Sequence, residues 1–373
     1  MDALTEGRVR KINEMAEAVL ADSRRGARLD EPGTSSRLDL SPRDLNRYSF
    51  SRAVQTQIAS VKYIDKFCGF ERECSNELAT RFEVPLGDLA IPMDVLEHRA
   101  LSPHYLVEAS APESLSFIDI LRDRSSVFRS GAQFLPDLIA DVAIPRQVSD
   151  ATITWLSPSG SVIASDSSFG QISATPKIAC IITELSEQLL RQSSADRIIK
   201  AGLAAVNGVG ISNAAIAGAG GVEPLGIQNM PWIGTASGTN LAYAGLVGVQ
   251  KTILDANAIV NQQTLGYVTT PTIAELLKNR QRFTGTDSPL WRGALHEGEI
   301  EGVRAVSSKQ APSGTMLYGD WSTVYVCAWG PLMLSADRGG TRFNQARVGI
   351  RSLWFVDVLA TSPTSFVKIS SIT

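Results

Sequence analysis

Only three histidines (His98, His104, His296) and four cysteines (Cys68, Cys74, Cys180, Cys327) occur in 373 residues. Neither set is grouped. There is no CxxC pair and no histidine beside a cysteine, so the ligand spacings that hold zinc are missing. Four isolated thiols read as reduced, buried, small hydrophobes. No GxSxG elbow is present, and His296 lies in LHEGEIEG, which lacks the second histidine of HExxH. His98 and His104 fall in a proline-rich stretch where solvated surface is the default. A nucleophile, base and acid in workable roles cannot be assembled from these residues. The expectation is therefore no catalytic residue, no cofactor-binding residue, no metal ligand and no cofactor. An excess of positive charge is also lacking. Lys and Arg number 35 against 38 Asp and Glu, a net charge of −3, which argues against a dedicated nucleic-acid binder. Long apolar runs are absent as well: the stretch Leu241–Val249 ends at Gln250-Lys251, short of a membrane span. The opening MDALTEGRVRKINEMAEAVL is amphipathic and has no signal-peptide core. The chain is expected to be soluble, made in the cytoplasm and free of membrane.

What is present is enough apolar residue to build a core. Hydrophobic residues make up 44% and charged residues 20%, the balance of a globular protein, at a length that predicts more than one folding unit. The glycines of NGVGISNAAIAGAGG do not form a dinucleotide fingerprint, because Asn213 stands where the third glycine is needed. The segment also sits in or after a helical pattern instead of opening one, and no GxxxxGK[ST] occurs.

Three zones differ in pattern. To about residue 100 the chain is charged and helical. Val9, Ile12, Met15 and Val19 recur at helical spacing, and EPGTSS then interrupts. Ser41-Pro42-Arg43-Asp44 predicts a capped helix start, with Phe50, Val54, Ile58 and Val61 as its stripe. FERECSNELATRF places Phe70, Cys74, Leu78 and Phe82 four apart. Glu83–Leu106 reads as an extended linker. From 107 to 180 the pattern is β-rich and loop-rich. Val142, Ile144, Thr152 and Thr154 lead into a long two-stranded hairpin, and Ile172, Ile178 and Ile182 lead out. Such a ribbon is marginal alone and should lean on a neighbouring subunit. The third zone begins with a helix at Leu185–Ser193. A second, capped by Ser193 or Ser194, carries Ile198, Ile199, Gly202, Leu203, Val206 and Val209 on one stripe. Glycines 202, 208 and 210 cost helix propensity and predict close packing against another backbone. Helices at TNLAYAGLVGVQKTILDAN and, capped by Thr270 or Thr272, at Pro271–Arg280 precede a strand-like remainder, which predicts an α+β fold. Arg24-Arg25 and Arg280/Arg282 read as solvated faces or ion pairs between subunits.

Several of these segments, in order, resemble the major capsid proteins of tailed bacteriophages with the Hong Kong 97 fold. LSPRDLNRYSFSRAVQTQ and GFERECSNELATR resemble the part preceding the shell domain in relatives made with, or fused to, a prohead protease. LPDLIADVAIPRQVSDATITWLSPSG resembles the arm entering the E-loop, and ELSEQLLRQSSADRIIKAGLAAVNGVGISNAAIAGAGGVEPLGI the spine helix and the loop after it. QTLGYVTTPTIAELLKN and LYGDWSTVYVCAWGPLMLS…RSLWFVDVLATSPTSFVKI resemble the axial domain and the last strands of the peripheral domain.

The resemblance implies residues 1–104 as a helical delta or scaffold-like region and 105–140 as the N-arm. It implies 141–178 as the E-loop and 179–220 as the P-domain with its spine helix. The A-domain with returning P-domain strands would take 221–345, and C-terminal strands 346–373. It further implies a homo-oligomer of hexamers and pentamers forming an icosahedral shell around double-stranded DNA. A prohead protease, a portal protein and a cement or decoration protein would be partners, and the virion, assembled in the bacterial cytoplasm, the location. Asp141–Thr175 holds no lysine, so the covalent cross-link of the fold's prototype is not expected. An encapsulin shell, a gene-transfer-agent capsid and, from another class, a soluble enzyme are the alternatives.

Overall fold

A computed structural model describes residues 35–58, 68–82, 84–85, 88–97, 116–138, 140–149, 168–190, 195–256, 262–283 and 285–373. Its elements begin with helices α1 (Pro42–Arg47), α2 (Phe50–Ile58) and α3 (Gly69–Phe82), strand β1 (Leu89–Ile91) and helix α4 (Met93–Glu97). Helices α5 (Phe117–Arg124) and α6 (Ser126–Ser130) lead to β2 (Gln133–Leu138), β3 (Val142–Ser149), β4 (Ser168–Ala174) and β5 (Lys177–Ser186). The 23-residue helix α7 (Ala195–Ala217) is the longest among the described residues. Then come β6 (Gly234–Ser237), α8 (Tyr243–Asp255), β7 (Leu265–Thr269) and α9 (Pro271–Asn279). The remainder is β8 (Arg292–Gly293), β9 (Glu297–Ile300), β10 (Val303–Ser307), β11 (Met316–Asp320), β12 (Val324–Asp337), β13 (Arg347–Ala360) and β14 (Phe366–Ser370).

Two sheets organise these elements. In the first, strands run β1-β12-β13-β5, and β2 pairs in parallel with the first half of β12 while β1 pairs with its second half. Because β12 is central and covered on both faces, it is a nearly unbroken apolar run. Val326 and Ala328 point into a core built with α2, α5 and α7, and Tyr325, Cys327 and Trp329 point to the opposite side. The second sheet has order β6-β14-β11-β7-β10-β9-β8 and packs on α8 and α9 through Leu246, Ile253, Ile273 and Leu277. Trp321, wholly buried, joins the two. Its indole donates to the Gly266 carbonyl at 3.0 Å, and it sits in a cluster with Ile216, Val324, Val358 and Phe366.

Local sequence signals account for many element ends. Ser41 caps α1 by accepting from the Asp44 amide, with Pro42 in the first turn. Thr270 caps α9 with Pro271 behind it. The single helix expected from Ser41 is split in two, since α1 ends at Arg47, while the stripe Phe50, Val54 and Ile58 lies on the separate α2 and packs on the core. Val61, the stripe Val9–Val19 and the Arg24-Arg25 pair lie outside the described residues.

Several expectations are corrected. Glu83–Leu106 is not simply a linker: Leu89–Ile91 is a buried sheet strand and Met93, Val95 and Leu96 are buried in α4. Prolines 85 and 92 delimit these elements, and short elements held by tertiary contacts leave little periodicity to read. The span 107–180 contains two helices, α5 and α6, where strands and loops were expected. Ser116 makes a capping box with Asp119 at the start of α5. Ile178 and Ile182 belong to β5 and pair with β13, not with the hairpin. Leu185 lies in that strand, which ends at Ser186, and among the described residues of the expected helix Glu187–Leu190 is helical.

In α7 the buried face is Ile199, Leu203, Ala204, Ile211 and Ala215, whereas Ile198, Val206 and Val209 are exposed. Only one of the three glycines behaves as expected within the chain. A methyl group on Gly208 would come within 2.7 Å of the Leu121 carbonyl oxygen, while positions 202 and 210 face open space. By length and composition Ile198–Ala217, of mean hydropathy 1.2, could cross a membrane. Its contacts with α5 make it instead a core helix. Strand β14, grouped from sequence with the peripheral domain, pairs with β11 and β6 in the second sheet.

Candidate assembly surfaces

The hairpin expected from Val142 and Ile144 exists, with Val142 opposite Ala174 and Ile144 opposite Ile172. Thr152 and Thr154 lie outside the described residues. Two strands form a sheet of their own, and among the described residues the base of that sheet is held. Val142, Ile144 and Ala174 are buried against Tyr325, Cys327, Trp329 and Leu359. Trp329 donates its indole N–H to the Ala140 carbonyl at 2.9 Å, which anchors the incoming strand. On the outgoing side the buried Asp357 carboxylate accepts from the Thr175 amide (3.0 Å), from the Val358 amide (2.9 Å) and from Lys177 Nζ (3.3 Å). Thr175-Pro176 thus forms a clamped joint between β4 and β5. Sequence pattern showed the ribbon but not the clamp, because Asp357 lies 182 residues from Thr175.

The outer edge of β5 has no strand partner among the described residues. Ala179 and Leu185 pack on the main core, while Ile178 and Ile182 are 61% and 62% exposed. Beside this edge runs a groove of about 320 Å³ lined by Ile178, Ile181, Val206, Gly210, Val222 and Pro224. A ten-residue edge carrying exposed isoleucines is a surface that asks for a partner.

The loop after α7 owes its shape to glycine. Gly226 donates to the Gly218 carbonyl at 2.9 Å, Gly220 and Gly221 have φ of +82° and +79°, and Asn229 Nδ2 caps the helix on the Ala217 and Gly218 carbonyls. The glycine-rich segment set apart above from nucleotide fingerprints is therefore the second half of α7 followed by a tight return of the chain at its end.

The cysteines do not share one environment. Cys68, Cys74 and Cys327 are buried as expected, but Cys180 is exposed on β5. Burial, reinforced by the Glu71 carboxylate, pushes the Cys74 thiol up to about 12 and raises Cys68 too. In the unassembled full-length chain a thiol reagent will therefore label Cys180 quickly and the other three only as fast as the chain unfolds. Mass mapping of the adducts checks this; rapid labelling of Cys74 would refute the buried placement.

His296 is exposed to a turn before β9, where its carbonyl accepts from Arg129 and from the Ser307 amide. His98 and His104 lie outside the described residues. Among the described residues no three His, Cys, Asp or Glu side chains gather as metal ligands would. Arg280 and Arg282 are not free surface cations. Arg280 donates to the Leu241 and Thr373 carbonyls, and Arg282 pairs with Glu301 while stacking on Tyr243. The buried Glu71, held by Arg52 Nε at 2.9 Å and by the Ser49 amide, ties α2 to α3, and nothing in the charged pattern of α3 distinguished it from its solvated neighbours.

Residues 109–371 match the phage capsid family. Over 350 residues the chain is 27% identical to the major capsid protein of Halomonas phage phiHAP-1, covering 90% of this chain and 56% of that protein. It thus spans about half the length of the curated relative it matches. Its fold is similar to the capsid of a native GTA particle (TM-score 0.52, 16% identity, 72% of this chain and 97% of that one). It is also similar to a chain of Mycobacterium phage Bobi (TM-score 0.50, 13% identity, 73% and 95%). Capsid is a structural role, and none of these relatives is named for a catalysed reaction. On the family match, and with a two-sheet α+β architecture of the Hong Kong 97 type, this chain belongs to the phage capsid family.

Proposed function

We propose that this chain is the major head protein of a tailed bacteriophage, assembling as hexamers and pentamers into an icosahedral shell that encloses double-stranded DNA. The family match over residues 109–371 carries this reading. The clamped ribbon of β3 and β4 and the apolar edge of β5 support it, because the described residues of a single chain offer neither a further strand partner. In this reading 105–140 is the N-arm and 141–178 the E-loop, with the joint at Thr175-Pro176 as its hinge. Residues 179–220 bring the P-domain and spine helix, 221–345 the A-domain with returning strands, and 346–373 the closing strands. Portal, prohead protease and a cement protein are the other components, and assembly takes place in the host cytoplasm before the subunit becomes part of the virion. A net charge of −3 suits a wall that must not adhere to its contents.

We place any maturation cut between about residues 80 and 110, and the burial of the strand and helix at Leu89–Glu97 favours the part beyond residue 97. Negative-stain microscopy of the expressed full chain, alone and with a matching prohead protease, tests the reading. Closed shells are the expected result, and on a denaturing gel they will run as monomer without a covalent ladder, since the ribbon has no lysine. A compact monomer at assembly concentrations would overturn the shell reading and revive the enzyme alternative. Particles filled with protein cargo would instead favour an encapsulin-type compartment. A gene-transfer-agent capsid would differ only in the DNA it carries.

A further inference from the structure

The family match begins at residue 109, yet the described residues before it are not a separate lobe. Strand β1 fills the β12 edge beside β2, with Leu89 opposite Leu334, Ala90 opposite Met333 and Ile91 opposite Leu332. Phe50, Val54, Ile91, Met93 and Leu96 share one core with Phe117, Leu203, Leu332, Leu334 and Ile350. Phe50 stacks on Phe117 with ring centroids 6.4 Å apart. Polar contacts follow the same surface. Gln57 donates to the Leu334 carbonyl at 3.2 Å and accepts from the Ala336 amide. Gln55 donates to the Leu190 carbonyl at 3.1 Å, and Arg351 reaches both oxygens of Asp88 at 2.8 and 3.1 Å. Ser36 and Arg37 both engage Asp137 at the end of β2. The segment is also closed on itself, through the Met93 amide to the Ser36 carbonyl and the Leu38 amide to Asp94.

We propose that the described residues between 36 and 97 are a permanent layer of the subunit, docked on the β12 edge and the adjoining helical face, and that they remain bound there without a covalent link when the chain is cut beyond residue 97. This deepens the shell reading: an N-terminal region expected to act as a removable scaffold becomes part of the wall. A departing segment would strip the cover from Leu332, Leu334 and Ile350 and leave the backbone groups of β12 unpaired, which is what an exposed sheet edge cannot sustain without a substitute.

The test is a full-length chain with a specific protease site inserted between residues 98 and 115, cut after folding. Both pieces are expected to co-elute on native gel filtration, with a dissociation constant below about 1 μM, and to separate only in denaturant. Ile91→Asp, which puts a carboxylate into a fully buried position, should release the cut fragment. A wild-type fragment that elutes alone, while the remainder keeps its circular dichroism, overturns the proposal. Should the insertion prevent folding, hydrogen exchange on the uncut chain decides. Protection of Leu89–Ile91 equal to that of β13 supports docking, and exchange about a thousandfold faster than β13 refutes it. None of these readouts requires shells, so loss of docking and failure to assemble are separate results.

Discussion

Gly226→Ala will destabilise the protein by about 3 kcal/mol, the upper end of the usual overpacking cost, with no side chain available to absorb it. The added methyl would fall on the Gly218 amide nitrogen and lie 2.7 and 2.8 Å from the amide nitrogen and carbonyl carbon of Ala217. These are backbone atoms at the end of α7, held by the Gly226–Gly218 hydrogen bond and by the Asn229 cap. Moving them would break that closure and shift Ile216 and Ile227, both buried in the cluster around Trp321. Gly202→Ala is the matched control. Its methyl meets nothing within 4 Å, so removing a mid-helix glycine should stabilise the isolated chain by roughly 0.5–1 kcal/mol. Urea unfolding of the two variants measures both. Equal midpoints for Gly226→Ala and wild type would show that the loop closes differently.

Asp357→Ala is expected to cost about 3 kcal/mol and to loosen the ribbon selectively, because removing one member of a buried pair leaves the other uncompensated. Lys177, 19% exposed beside an Asp357 that is 5% exposed, would lose its carboxylate partner. The Thr175 and Val358 amides would lose their shared acceptor at the same time. Asp357→Asn keeps one acceptor oxygen, which can serve the Thr175 amide on Oδ2 or the Val358 amide on Oδ1 but not both, so it should cost less than Asp357→Ala and more than the charge alone. Hydrogen exchange gives the selective readout: Ser168–Ala174 should lose protection while β7 and β11 keep theirs. Uniform loss across both sheets would mean that Asp357 supports the whole fold and not the joint of the ribbon. If the shell reading holds, the same variant should assemble into particles with poorly defined ribbons.

Much of the chain could be read without coordinates where a signal was local. The Ser41-Pro42 and Thr270-Pro271 starts, the alternation of Val142 and Ile144 against Ile172, and the strand character of residues 303–370 all depend on neighbours a few positions apart. Collinear motifs carried the family for the same reason. The chemistry of the surfaces was less legible. Glu71 and Asp357 look like any other acids in sequence, and their burial follows from partners 19 and 182 residues away. Cys180 differs from Cys327 because it points from the edge strand β5 to the face away from the main core, whereas Cys327 on the interior strand β12 is covered by the base of the ribbon.

The sequence by itself therefore determined an α+β capsid-family chain, and led to the expectation of no grouped metal or catalytic side chains and of a ribbon too poor in apolar surface to stand alone. Tertiary structure decided where the subunit's core begins. Leu89–Ile91 and Met93–Glu97 are too short to show a period, and become strand and helix only because β12 offers an open edge and the core an apolar face. It also decided which glycines matter, since a missing Cβ counts only where another backbone approaches, as Leu121 approaches Gly208. The physical reason is the same throughout: periodicity and capping report contacts within a few residues, whereas edge position, burial and close approach are set by segments a hundred or more residues apart.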